Sequence, residues 1–119
     1  MSGRPPVLAA RAAELLARLP GPRTPAWPAG EPFTLALAHG TMSVEVFAPR
    51  GTDTQTPHAQ DELYIIHAGR ATLEVEGEPH AAAAGSVLFV PARAVHRFVD
   101  LSPDFAAWAV FWGPDGGER

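Results

Sequence analysis

Two histidines and one carboxylate stand where a metal ion could use them. His58 and Glu62 lie four apart in P-H-A-Q-D-E-L-Y-I-I-H-A-G, residues 57–69. His96 closes a second stretch, G-S-V-L-F-V-P-A-R-A-V-H, residues 85–96. Each sits where turn residues meet an apolar run, at the mouth of an expected buried strand. Two imidazoles and a carboxylate form a donor set that leaves positions open on a divalent ion. Alternate side chains of an extended segment share a face, so 58, 60, 62 and 64 fall on one side. A turn around Ala59–Asp61 would fold His58 towards Glu62. Beyond Pro91-Ala92-Arg93, His96 and Phe98 face together. A single histidine in such a setting is ordinarily a hydrogen-bonded structural residue; the three groups together point to a metal.

The neighbouring polar residues divide by position. Gln60 is either a weak fourth oxygen ligand or a polar loop residue, and Asp61 is expected to face solvent. Tyr64 shares parity with Glu62 and should point inward below the site, as core or as a substrate-side acid. Arg93 and Arg97, beside His96, are candidates to meet an anionic substrate, with Arg97 assigned to the catalytic set; solvated rim arginines are the alternative. His67 has odd parity relative to Glu62 and should face away. His39 and His80 fall at turns or edges.

Composition removes other chemistries. The 119 residues contain no Cys, no Lys and no Asn. Thiolate nucleophiles, disulfides and lysine Schiff bases are therefore excluded. The remaining ligands are nitrogen and oxygen donors suited to Fe(II), Mn, Zn or Ni. No G-x-S-x-G elbow or phosphate-cradling glycine loop occurs. A net charge of −4 argues against a nucleic-acid surface. Residues 51–119 carry four Arg against ten acids, whereas residues 1–50 carry five against three. No apolar run is long enough to span a membrane and no secretory h-region is evident, so a cytoplasmic location is expected.

The elements that must position these groups follow from periodicity. Leu8, Ala12, Leu15, Leu16 and Leu19 recur at three and four, predicting an amphipathic helix over 7–19. Residues 20–32 contain five prolines and two glycines, an arm in which Trp27 should anchor an apolar spot. The period then falls to two. Strands are predicted at Phe33–Ala38, Met42–Phe47, Glu62–His67, Arg70–Glu76, His80–Ala83, Val87–Val90, Val95–Val99 and Phe105–Trp112. Alternation nominates Leu73, Val75, Val87, Phe89, Phe98 and Trp108 for the core, with Glu74 and Glu76 in water. Residues 113–119 are expected to be a disordered tail.

The two motifs resemble those of the cupin superfamily, G-x5-H-x-H-x3–4-E-x6-G and G-x5-P-x-G-x2-H-x3-N. Glu62 and Gly69 match the first in spacing, and His58 falls on its second histidine. Thr56 occupies the first histidine's position. Gly85, Pro91 and His96 match the second motif, while Arg93 replaces its glycine and Asp100 its asparagine. The resemblance covers roughly residues 33–112. It implies an all-β, single-domain jelly-roll barrel behind an N-terminal helix and arm (1–32), holding one divalent metal through His58, Glu62 and His96. Thr56 then becomes a candidate to hold a metal-bound water. The expected function is a metalloenzyme of oxygenase, isomerase or lyase type acting on a small oxygen-rich molecule. A non-catalytic binding or sensing module and a barrel with a decayed site are the alternatives. A homodimer using 20–48 or 105–112 is expected.

Overall fold

A computed structural model describes residues 8–119. Helix α1 covers Ala12–Leu16 and is followed by eight strands: β1 (Phe33–His39), β2 (Met42–Phe47), β3 (Asp61–Ala68), β4 (Arg70–Val75), β5 (Glu78–Ala83), β6 (Val87–Val90), β7 (His96–Val99) and β8 (Ala106–Trp112). They form two antiparallel sheets, β1-β2-β8-β3-β6 and β5-β4-β7. Tyr64, Ile66, Leu73, Val90, Phe98 and Phe105 fill the space between the sheets, all essentially inaccessible to water. The result is an all-β, jelly-roll type of barrel.

Helix α1 is a single turn rather than the helix expected over 7–19; Val7 lies outside the described residues. Arg11 stands at its N-cap in an extended conformation and makes no side-chain cap. Without a Ser, Thr, Asp or Asn there, the first N–H groups have no side-chain acceptor. Leu8 is accordingly exposed, while Ala12 and Leu15 are buried and the turn packs on β2.

One strand face differs from the alternation reading. In β6, Leu88 and Val90 turn inward, leaving Val87 and Phe89 at 61% and 53% exposure. The β3 pairing Glu62↔Val90 and Tyr64↔Leu88 decides this, because paired residues share a face. In β2, Glu45 and Phe47 face the interior beside Ala109 and Ala107 of β8. Met42, Val44 and Val46 lie on the opposite face, against which α1 packs. Elsewhere Leu73 and Phe98 are buried as expected, Val75 and Trp108 are half-buried, and Glu76 is exposed. Glu74, expected in water, is half-buried by its contact with Arg97.

Residues 113–119, expected without structure, fold back on the β3 approach. Gly116 N–H donates to Ala59 O at 2.8 Å, and Glu118 N–H to Asp61 Oδ2 at 2.9 Å. Asp61 is therefore buried instead of facing solvent; its Oδ1 also accepts from Ala92 N–H at 3.0 Å. A buried carboxylate needs such donors, and here two distant loops supply them.

Candidate metal centre

His58 is delivered by the loop before β3 and His96 by the first residue of β7. The two loops are tied together directly: Arg93 N–H donates to His58 O at 2.8 Å. Arg93 adopts φ +68° to do so, a conformation that explains why the resembling motif has glycine at this position. Asp100, at the motif's asparagine position, likewise has φ +54°. Neither departure displaces the histidine between them.

A shared device orients both imidazoles. The Nδ1 of His58 lies 2.8 Å from Gln60 O, and the Nδ1 of His96 lies 2.8 Å from Ala94 O. A carbonyl can only accept, so each Nδ1 carries the hydrogen and each Nε2 is left with its lone pair. Both Nε2 atoms point at one oxygen: Glu62 Oε1 is 2.8 Å from His58 Nε2 and 3.3 Å from His96 Nε2. Ligand atoms of the three residues all lie within 4.8 Å of one another. An ion bound by nitrogen and oxygen at about 2.0–2.2 Å fits between atoms so placed.

The chemistry of the set fits an ion as well. His96 Nε2 is enclosed and has no hydrogen-bond partner among the described residues, and Glu62 is 1% exposed. Leaving a buried acceptor unsatisfied costs about 1–3 kcal/mol. A divalent cation would satisfy that nitrogen and balance the carboxylate. Without an ion, Glu62 instead favours a proton on His58. Burial opposes its charge, but the hydrogen bond and charge of Glu62 more than offset this and raise it above its ordinary 6.5.

The other nominated residues scatter. The Gln60 side chain is not turned to the three ligands; its amide donates to Thr41 O and Gly113 O at 2.9 and 3.0 Å. Those bonds brace the loop whose main-chain carbonyl orients His58. Tyr64 is buried below the site and donates to Gln55 Oε1 at 3.1 Å. Burial, followed by the Glu62 charge, raises its phenol well above the ordinary range, so it keeps its proton. Arg97 is on the outer face of β7, where its Nε donates to Glu74 at 3.2 Å, so the structure does not bring it to the site. Arg93, His39, His67 and His80 are exposed.

A cavity of about 190 Å³ opens beside the ligands, lined by Trp27, Phe33, Phe47 and Phe111, with Glu45, Gln55 and Thr56 completing the wall around His58 and Glu62. The proline-rich arm supplies Trp27. Gly21 N–H to Glu31 O and Glu31 N–H to Pro22 O close the arm on itself, and Thr24 and Trp27 bond reciprocally at its tip. The Trp27 ring then stands edge-on to Phe33 and Phe47, at centroid distances of 6.3 and 6.4 Å. A larger hollow of about 480 Å³ lies on the other side of the arm, between α1 and residues 48–54. Among the described residues it has no metal-ligating cluster, and its Arg50 guanidinium is engaged with Phe105 O and Pro49 O.

Two inward-facing acids escaped the sequence reading. Asp53 accepts from Phe98 N–H at 2.8 Å and from Gln55 N–H at 3.0 Å, pinning the 48–57 loop to β7. Gln55 in turn holds the Tyr64 hydroxyl. Glu45 faces the cavity with no hydrogen-bond partner among the described residues. Burial, then the charges of Glu62 and Glu31, push its carboxyl up to about 7.

Comparison with known proteins agrees with this architecture. The cupin domain family matches residues 43–112. An uncharacterized protein of Streptomyces coelicolor is 42% identical over 81 residues, covering 66% of this chain and 77% of that protein. A cupin 2 conserved barrel domain protein from Salinispora arenicola superposes with a TM-score of 0.59 at 22% identity, covering 68% of this chain and 74% of that one. KdgF from a Halomonas species superposes with a TM-score of 0.58 at 23% identity, covering 69% and 77%. On its two motifs, its two-sheet barrel and the match across most of the strands, this chain belongs to the cupin family.

Proposed function

We propose that this protein binds one divalent metal ion through His58 Nε2, Glu62 and His96 Nε2 and uses it on a small molecule held in the adjoining cavity. The observation that carries the reading is the His96 Nε2 atom, buried, unpartnered among the described residues and turned to the Glu62 carboxylate. A nitrogen fixed in that tautomer has a lone pair and no donor placed to meet it. Bound there, a divalent ion would supply Lewis-acid polarisation of an oxygen on the small molecule. The residues then have separable tasks. Gln60 O and Ala94 O hold the tautomers, and the aromatic wall excludes water. Glu45 is the cavity-facing group able to accept or return a proton near neutral pH. Thr56 leaves room where a fourth ligand would stand. Reaction types consistent with three protein ligands and open positions are oxygenase, isomerase and lyase.

A second reading, a non-catalytic binding or sensing module, draws on a specific observation: Tyr64 and Arg97, expected to do chemistry, do not line the cavity. One experiment tests what both share. Metal content per chain is measured after dialysis against a mild chelator, on untagged protein and on His96→Ala. About one ion per chain in the wild type and a loss in the variant is expected. A wild type that retains no ion from any of Fe, Mn, Zn or Ni overturns the metal reading.

A further inference from the structure

We infer that the molecule taken into the cavity beside the metal centre is a small organic cation, an alkylammonium compound with an oxygen able to reach the ion. The inference rests on the metal reading above and goes on to the substrate class.

Four aromatic rings, Trp27, Phe33, Phe47 and Phe111, line a space of about 190 Å³. At the ~30 Å³ that each water occupies in the liquid, this holds roughly six or seven heavy atoms. Aromatic faces attract cations, most strongly when the cation is desolvated, and a group of such rings is a recognition surface for quaternary ammonium groups. Charge points the same way. Among the described residues no arginine lines the cavity, and Arg97, the residue expected to hold an anion, is paired with Glu74 on the outside. Among the described residues, the one acid in this wall besides Glu62 is Glu45, presented inward by β2 opposite Ala109. Among the described residues it has neither a hydrogen-bond partner nor a salt bridge.

An anionic substrate would face Glu45 and Glu62 with only the ion to offset them. A neutral polyol would find acceptors only at Glu45, Gln55 and Thr56 and would place its remaining hydroxyls against four rings. A small ammonium compound satisfies the rings and Glu45 at once, and its oxygen is left for the metal. The arm contributes to this selection, since Trp27 comes from outside the barrel strands.

Choline and 3,3-dimethylbutan-1-ol test the inference, because they share size, shape and the hydroxyl and differ in the charge of one centre. Both are titrated calorimetrically into the protein as purified, with metal content measured on the same sample. Choline should bind at least tenfold more tightly than the neutral isostere. Glu45→Gln should reduce that preference about tenfold, and Trp27→Ala should weaken choline. An isostere that binds as well as choline, no binding of choline, or a preference unaffected by Glu45→Gln overturns the inference. If metal is bound while the charge preference is absent, this inference falls and the metal reading stands. If the preference is intact while metal is absent, the metal reading falls and the selection for a cation stands.

Discussion

His96 Nε2 lies 3.3 Å from Glu62 Oε1, and its other ring nitrogen is already committed to Ala94 O. The two residues come from different sheets, Glu62 from β3 and His96 from β7. Closing the barrel therefore assembles the candidate ligand set of His58, Glu62 and His96, and each member is replaceable without rebuilding a strand. His58→Ala, Glu62→Ala and His96→Ala should each weaken metal binding by at least ~100-fold, beyond the loss typical of outer-shell changes. His67→Ala and Gln60→Ala should keep a measurable site, the latter with reduced affinity, since it loosens the loop orienting His58. Thr56→His should tighten binding by adding a donor at the cavity wall. Competition with a chromophoric chelator reads all six variants; retention by His58→Ala with loss in His67→Ala would reverse the assignment.

Acid should expel the ion over a pH range set by His58. Against the cost of burial, the hydrogen bond and charge of Glu62 raise its value above 6.5, so its proton competes with the metal at higher pH than an ordinary histidine's would. Affinity should fall as pH drops through that raised value. In the metal-free protein the sign is different. The protonated His58–Glu62 pair favours the folded state fully below 6.5, and this contribution fades as pH rises through the folded value. Metal affinity and apo-protein denaturation, each followed across about pH 5–8, should show these opposite slopes.

Glu45 makes a stability prediction of its own. A carboxyl that titrates at about 7 when folded and 4.5 when unfolded keeps its proton longer in the native state. The folded state is thus favoured at low pH and loses that advantage as pH rises through 7. Glu45→Gln should stabilise the metal-stripped protein at about pH 8, by as much as ~3 kcal/mol from the size of the shift. The gain should shrink as pH falls towards 4.5. A variant less stable than wild type under the alkaline condition would show that the carboxylate has an unrecognised partner.

Gly69 closes β3 with φ +72°, and a Cβ there would stand 2.8 Å from the Phe105 Cα. Gly69→Ala should cost about 2–4 kcal/mol, combining left-handed strain with backbone overlap. Gly85 has φ +93° but open space around it, so Gly85→Ala should cost only the strain, about 1–2 kcal/mol. Urea denaturation midpoints compare them, and equal losses would remove the role assigned to Phe105.

The outer face of the larger sheet suggests self-association. Val87 and Phe89 stay exposed beside Ile65 and Leu63, and the Phe89 ring lies 6.1 Å from that of Trp112. Apolar patches of this kind mark interaction sites. A homodimer that covers β6 and the outer side of β8 is expected by light scattering at micromolar concentration. Phe89→Glu with Val87→Lys should give a monomer. A wild type that is already monomeric would end the idea.

Much of this protein is legible in its chain. Strict alternation in β4 and apolar runs bounded by glycine and proline locate the strands. The spacing of His58, Glu62 and His96 names the residues that the barrel brings together. These are local properties: side-chain period and turn chemistry act over a few residues. What alternation could not supply is which face of a strand is the interior. Val87 to Val90 is apolar on both sides, and only its pairing with β3 puts Leu88 and Val90 inside. In β2 the apolar side lies away from the barrel interior, against α1, so Glu45 lies inward where a sequence pattern would set it in water. Asp53 and Asp61 are buried for the same kind of reason, because their donors come from Phe98, Ala92 and Glu118, far along the chain. A carboxylate's environment depends on what folds over it. That long-range contact was decided by the tertiary structure, whereas the two histidines and the carboxylate that meet at the site were written in the sequence.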